Sequence, residues 1–575
     1  MTGGSGQRVG TIVRAVITGV AVLLVWAALV APDRASAMSP TALLRVPVEG
    51  VLLLALALVL PWRVGRVLAA TAGALLGVVV AIKALDVGFS EVLDRPFDPL
   101  NDWAYLGPAL GVLSDSDGHA TTVAAAVGAG LLLVATLAAL IWAMLRLHRL
   151  ARRHRRASVR AVIALATVWL VGAVSGLQVS PGVGIASSST VGEAVDQVAQ
   201  LRADLADRKV FARAIAHDAF GDRPADRLLA GLRGKDVLLV FVESYGRVAV
   251  EGSSFSPEVD AALDTGTDRL RRAGYSSRSA FLTSPTFGAA SWLAHSTLQS
   301  GLWVDSQQRY DQLLGSDRST LSDLFHRAGW RTVFDVPAVT RPWPEGAAFY
   351  HFDELYDATD VGYHGPSFSY ATMPDQYTLA AFRRLELTRG HRPPVMAEID
   401  LVSSHHPWTP LPQMVPWRDV GDGSVYDGMP DLGISPDAAF RDPDEVRALY
   451  GRSIVYSWQS LVSFLRRYAD PNLVVVALGD HQPHSYVTGP HPGHDVPISV
   501  ISQDPEVMRR TAGWGWQSGL RPRPDAPVWR MDAFRNAFLT AFDPAGTGAS
   551  GADASDAGVG VERERQPARV LHQSR

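Results

Sequence analysis

Side chains able to bind a metal ion follow three short apolar segments in the second half of the chain. Glu243 follows VLLVFV, and Asp480 and His481 follow LVVVALG. His405 follows EIDLVSS. Carboxylate oxygens and imidazole nitrogens are ligands that suit zinc or manganese. If the segments are parallel strands, ligands bind beyond their carboxyl ends, so the sequence predicts one metal site formed by these residues.

A serine in a segment of small residues offers a nucleophile. Residues 288–290 are Gly-Ala-Ala, and Ser291 opens a predicted helix, where we expect it to be the N-cap. The positive end of a helix and a bound metal both favour the ionised hydroxyl, which is the form that attacks phosphorus. Most N-capping serines are purely structural, so this hypothesis depends on the accompanying ligands. Thr283, Thr286 and Ser296 are alternative hydroxyls.

An α/β domain is predicted to position these side chains. Short apolar runs are typical of strands buried on both faces, and five mostly apolar segments of six to nine residues occur at 237–244, 331–336, 394–402, 473–480 and 496–502. A helical pattern at 448–468 lies between two of them. The alternation predicts a mostly parallel central sheet.

The first third of the chain is predicted to span a membrane. Five apolar segments are long enough to cross a bilayer, at residues 15–32, 43–62, 67–85, 120–145 and 161–179. The second contains Arg45 and Glu49, which must lie at the interface or against other helices. Residues 35–37, Ala-Ser-Ala, resemble a signal-peptide cleavage site, but the later spans make the protein membrane-embedded in either case.

Arginine clusters predict how the chain is oriented across the membrane. They precede the first span, separate the second from the third, and separate the fourth from the fifth, which places all three on one side. That side is expected to be the cytoplasm, so the N-terminus is cytoplasmic and the residues after 180 are extracytoplasmic. Only three of the 53 basic residues are lysine, which is typical of a GC-rich genome and favours a bacterial plasma membrane.

Composition excludes several classes of protein. The 575 residues contain no cysteine, so disulfides, thiolate metal sites and a cysteine nucleophile are excluded. The net charge of -4 gives no basic excess for nucleic acid. We predict a membrane domain at 1–180, an extracytoplasmic linker with an amphipathic helix at 181–232, a catalytic domain at 233–543 and a disordered tail at 544–575.

The order of Glu243 in FVESYG, Ser291 in GAASWLAH and Asp480-His481 in LGDHQP resembles the alkaline phosphatase and sulfatase superfamily. It is most similar to the lipoteichoic acid synthase branch, whose members join five membrane helices to an extracellular sulfatase-like domain. The resemblance implies that these four residues bind one divalent metal, manganese first, with zinc or magnesium as alternatives. It also implies that Ser291 is the nucleophile.

The same resemblance implies a set of substrate-binding residues. His405 in SSHHPW matches a histidine that binds the substrate phosphate in the family. Arg341 and Trp343 in VTRPWP match an Arg and a Trp that contact phosphate, and His494 in GHDVPI matches a further active-site histidine. Two departures concern the substrate: the nucleophile is Ser rather than Thr, and His295 replaces an acidic residue. The sulfatase pattern with Pro and Arg after the nucleophile is absent.

The resemblance implies a metal-dependent transferase acting on a lipid phosphodiester through a serine-linked intermediate. The donor is expected to be a phosphatidylglycerol-like membrane lipid, and the acceptor an envelope glycan or glycolipid. The transferred group is of the phosphoglycerol or phosphoethanolamine type. A membrane-anchored phosphodiesterase, phosphatase or sulfatase-like hydrolase, and a catalytically silent envelope scaffold, remain alternatives.

Overall fold

A computed structural model describes residues 4–31, 41, 44–93, 95–99, 101–105, 107, 110, 119–180, 183–187, 202, 205–340, 343–489 and 492–543. The predicted tail at 544–575 lies outside the described residues, as does most of the predicted linker before residue 205. The chain divides into two compact units, at 1–207 and 208–575.

The first unit is helical. Its helices are Gly4–Val30, Val48–Val59, Trp62–Leu93, His119–Arg153 and Arg155–Ser175. Among the described residues, four of them are long and apolar enough to cross a membrane. The prediction of five such helices is wrong at the second span, because Val48–Val59 has only 12 residues. Such a helix is roughly 18 Å long, whereas a bilayer core is about 30 Å thick.

The second unit contains a mixed sheet of nine strands among the described residues. We number them β1 to β9 in chain order: Asp236–Val242, Ser276–Thr283, Arg331–Asp335, Glu354–Tyr356, Val395–Leu401, Leu473–Gly479, Asp495–Ser502, Gln517–Ser518 and Val528–Arg530. The spatial order is β8-β2-β7-β6-β1-β5-β3-β4, and β9 pairs with β2.

Strand direction divides this sheet into two parts. The five strands β6, β1, β5, β3 and β4 are all parallel. Strand β7 is antiparallel to both β6 and β2, so the sheet is mixed rather than uniformly parallel. All five predicted strands are present. Strand β2 was not predicted, because its sequence SSRSAFLT begins with polar residues. Its first three residues are exposed or half-buried.

Helices cover both faces of the sheet. They are Ser256–Arg272, Ser291–Ser300, Gln307–Leu314, Leu321–Arg327, Pro344–Tyr350, Asp375–Phe382, Pro436–Ala439, Pro443–Arg467, Ser485–Thr488, Pro505–Arg510 and Ala533–Phe542. Successive residues of β1 enter different core clusters: Leu238 and Val240 pack in one, and Leu239 and Phe241 in the other. Burial on both faces explains why β1 and β6 are almost continuously apolar.

Candidate functional site

Neighbouring strand ends bring Glu243 and the Asp480-His481 pair together. Strands β1 and β6 are parallel and in register, with Val242 opposite Gly479, so the residues that follow them leave the sheet at the same edge. The two chains approach so closely that a Cβ atom on Gly479 would lie 1.9 Å from the Tyr245 carbonyl oxygen. Glycine at position 479 therefore permits the close approach of the two ligand-bearing turns.

Ser291 is the first residue of its helix. The N-cap prediction is wrong: Ala290 occupies the N-cap position in the left-handed conformation, with φ 66°. A non-glycine residue there is strained, and such strain is common where a functional side chain must be held in place. Because the Ser291 hydroxyl does not cap the helix, it is available to groups across the sheet edge.

The hydroxyl meets two of the predicted metal ligands. Ser291 Oγ donates to Glu243 Oε2 at 3.1 Å and lies 3.3 Å from His481 Nε2. His481 Nε2 in turn lies 3.4 Å from Glu243 Oε1 and 3.5 Å from Asp480 Oδ2. The structure thus brings all four predicted metal-site residues into one cluster.

Unused ligand atoms in this cluster fit a divalent cation. The backbone N–H groups of Ser244 and His481 donate to Asp480 Oδ1, whereas the buried Asp480 Oδ2 has no hydrogen-bond partner. The Gln482 carbonyl accepts from His481 Nδ1, so Nε2 is the ring nitrogen that faces the carboxylates. An outer hydrogen bond on the opposite ring nitrogen is typical of histidines that bind metals.

The charges of the cluster indicate the same chemistry. Burial raises the pKa of Glu243, but the hydrogen bond and charge of His481 outweigh burial and hold that pKa well below its ordinary value. Burial and the Glu243 carboxylate raise the pKa of Asp480 to about 6. Burial lowers the pKa of His481, but Asp480 and Glu243 outweigh it and raise that pKa to about 9. The Glu243 and Asp480 carboxylates therefore hold positive charge on His481 between them.

His405 lies near this cluster after β5. It stacks on Tyr370, with ring centroids 3.7 Å apart, and its Nδ1 donates to the His406 carbonyl at 2.6 Å. These two contacts fix the ring orientation and place the Nδ1 proton. Burial lowers the pKa of His405, and the Glu243 carboxylate acts in the opposite direction, which indicates that the two side chains lie close enough to interact.

Of the remaining predicted substrate residues, the two that the structure describes lie apart from these contacts. Arg341 is outside the described residues. Trp343 precedes the Pro344–Tyr350 helix and packs with Phe334 and Tyr350, at centroid distances of 6.1 and 5.8 Å. His494 is exposed, and its ring lies 5.9 Å from Phe287. Among the described contacts, none joins Trp343 or His494 to the cluster, so their substrate roles stay predictions.

A second charged group, which sequence reasoning missed, lies beneath the serine helix. His295 Nδ1 is 2.9 Å from Glu398 Oε1 and 3.8 Å from Asp400 Oδ1, and Gln299 donates to the other Glu398 oxygen. The His295 ring also stacks on Phe241 at 3.8 Å. The sequence did offer a signal: Glu398 and Asp400 are two positions apart in an otherwise apolar strand, so both side chains lie on the same face of the sheet. Such carboxylates require a partner.

We expect the stability of the His295→Gln variant to fall less than that of the wild type as the pH rises from 6 to 10. Burial lowers the pKa of His295, but Asp400 and Glu398 outweigh it and raise the pKa from 6.5 to about 9. A raised pKa stabilises the folded state below pH 6.5, and the contribution disappears as the pH rises through 9. It amounts to roughly 3 kcal/mol. Thermal unfolding of the full chain from pH 6 to 10 measures this loss.

His326→Gln is the matched control for that measurement, because His326 is half exposed and paired with Asp353. Its profile should follow the wild type. If the His295→Gln protein lost as much stability at alkaline pH as the wild type, the assignment of the charge to His295 would be contradicted.

Comparisons with known proteins return distant structural similarities. No family model and no curated protein sequence matches the chain. Solved structures that resemble it include the lipoteichoic acid synthase LtaP from Listeria monocytogenes, with 16% identity, 56% of this chain and 74% of that chain covered, and a TM-score of 0.36. The phosphoglycerol transferase GacH from Streptococcus pyogenes has 13% identity and a TM-score of 0.35. The similarity covers 57% of this chain and 80% of that chain.

The C-terminal periplasmic domain of EcEptC from Escherichia coli is also similar, with 14% identity, 55% of this chain and 88% of that chain covered, and a TM-score of 0.36. Identities and TM-scores this low do not establish a family or a substrate. The function is therefore argued from the geometry of the site.

Proposed function

We propose that the protein is a metal-dependent, extracytoplasmic phosphoryl-group transferase that acts on a lipid phosphodiester through Ser291. The observation that carries this proposal is the Ser291 hydroxyl, which lies within hydrogen-bonding distance of both Glu243 and His481. An unpartnered oxygen of Asp480 lies beside them. A hydroxyl, two carboxylates and an imidazole together suit phosphoryl transfer better than they suit a structural cap.

Glu243, Ser291, Asp480 and His481 would hold one divalent cation. Their oxygen and nitrogen donors fit manganese, with zinc or magnesium as alternatives. Such a cation favours the ionised hydroxyl and neutralises charge on phosphate oxygens. His405, whose ring is fixed by Tyr370 and by the His406 carbonyl, would bind the phosphate.

Two displacements at phosphorus would complete the reaction. Ser291 Oγ forms a bond to phosphorus as the bond to the lipid alcohol breaks, the departing alcohol takes up a proton, and Glu243 Oε2 is the nearest acceptor for the hydroxyl proton. The oxygen of an acceptor alcohol then bonds to phosphorus as the bond from phosphorus to Ser291 Oγ breaks. The headgroup phosphate passes to the acceptor, and the proton lost by the acceptor hydroxyl restores the Ser291 hydroxyl. The four apolar helices favour a membrane lipid as donor, because they would anchor the chain that carries the site to a bilayer and so raise the effective concentration of such a lipid.

A lipid-turnover assay tests this proposal. Full-length protein is reconstituted in vesicles containing phosphatidylglycerol with a fluorescent acyl chain, and labelled diacylglycerol is measured with manganese or with chelator. We expect product only with the metal. Product with free glycerol phosphate would favour the hydrolase, whereas transfer to an added glycolipid favours the transferase. No metal-dependent product from phosphatidylglycerol or phosphatidylethanolamine would support the scaffold alternative.

A further inference from the structure

Exposed apolar side chains are concentrated near His405. Within the described part of 208–543, six large hydrophobic residues are exposed: Val210, Leu432, Ile434, Phe440, Tyr486 and Val528. Four of them, Leu432, Ile434, Phe440 and Tyr486, flank the segment 406–410, and we call these four the apolar rim. Single exposed hydrophobic residues are ordinary, but a concentration of them marks a contact surface.

Contacts on both sides attach the rim to that segment. The His406 ring lies 5.2 Å from Phe440 and 6.2 Å from Tyr486, and these two rings are 5.6 Å apart. On the other side, the Thr409 hydroxyl donates to the Ile434 carbonyl. The rim therefore adjoins His405, the residue proposed to bind the phosphate.

The distance along a lipid molecule favours acyl chains as the occupant. In a glycerophospholipid, only a three-carbon glycerol unit separates the phosphate from the acyl esters. A phosphate held at Ser291 and His405 therefore brings the first methylenes close to the segment 406–410. Leu432 is 75% exposed, which leaves its side chain available for such a contact.

Charges next to the rim exclude an electrostatic attraction to anionic headgroups. Asp431, Asp437 and Asp442 are exposed beside it, and Arg441 is the cation nearest in sequence. Three acidic residues against one basic residue give no net attraction to an anionic surface. The contact should therefore depend on apolar burial and should not weaken at high salt.

We infer that the apolar rim enters the bilayer interface and contacts the acyl chains of the lipid whose headgroup reaches the Ser291 site. This inference rests on the proposed function, since it names the membrane contact that the lipid donor requires.

The absence of cysteine in the sequence allows a direct test. Leu432→Cys is labelled with a nitrobenzoxadiazole dye in the full-length protein, which is reconstituted in phosphatidylcholine vesicles with phosphatidylglycerol. Arg271→Cys is the control, because Arg271 lies in the last turn of the Ser256–Arg272 helix just before β2, at the opposite edge of the sheet from the site. Quenching by doxyl-labelled acyl chains is compared with quenching by aqueous iodide, at low and high salt.

We expect acyl-chain quenching and iodide protection at position 432, the reverse at 271, and no loss of acyl-chain quenching at high salt. Equal iodide quenching at both positions would overturn the inference. Protection from both quenchers at 432 would also overturn it, because the rim would then be covered by protein. Quenching needs no turnover, so its failure is distinguishable from a failure of the proposed activity.

A matched pair of substitutions adds a functional readout. Leu432→Asp should lower turnover of vesicle lipid by about tenfold, because a charge replaces a side chain that enters the interface. Leu432→Phe should keep the rate within a few-fold of wild type. Equal rates for both variants would contradict a lipid contact at this position.

Discussion

Replacing Ser291 with alanine is expected to abolish lipid turnover, with a loss of at least about 10⁴-fold. The hydroxyl is the only group of that residue that reaches Glu243 and His481, and alanine cannot form the serine-linked intermediate. Diacylglycerol release from vesicles measures the loss. Ser291→Thr should retain part of the activity, because it keeps a hydroxyl at the same position.

The nearby hydroxyls supply the control. Thr283 donates to Asp495, Thr286 to the Ala289 carbonyl and Ser296 to the Leu293 carbonyl, so each makes a structural hydrogen bond. Ser296→Ala should therefore stay within a few-fold of wild type. Full activity in Ser291→Ala, or loss only in Ser296→Ala, would move the nucleophile to another residue.

The second large effect concerns Asp480→Asn, for which we expect opposite changes in stability with and without metal. Without metal, the buried Asp480 carboxylate faces Glu243, and both burial and Glu243 raise its pKa to about 6. Asparagine keeps the oxygen that accepts from Ser244 and His481 but removes the charge. The unfolding temperature in chelator should therefore rise or remain unchanged.

With manganese, the wild type should gain stability that the Asp480→Asn variant lacks. A ligand at 100 times its Kd stabilises the folded state by about 2.7 kcal/mol. Asp335→Asn is the matched control, since Asp335 is another buried carboxylate at a strand end and lies outside the cluster. It should keep the manganese shift. A shift that persists in Asp480→Asn, or one that is absent from the wild type, would refute the metal site.

The sequence alone was enough to predict the elements that have a local signature. The five predicted strands, which are β1, β3, β5, β6 and β7, are mostly apolar because most of their residues are buried. The ligand residues could be found because they interrupt such runs at their carboxyl ends, where Glu243, Asp480 and His481 stand. Four long apolar helices were equally visible, since bilayer thickness sets their length.

The tertiary structure decided what depends on residues distant in sequence. Ser291 and Glu243 are 48 positions apart, and only the sheet order brings their side chains together. The contact of His295 with Glu398 spans 103 positions and has no local pattern. Backbone geometry likewise made Ala290, rather than Ser291, the N-cap, and freed the hydroxyl. Local patterns report the polarity and period of each segment, whereas a site is defined by distances between segments.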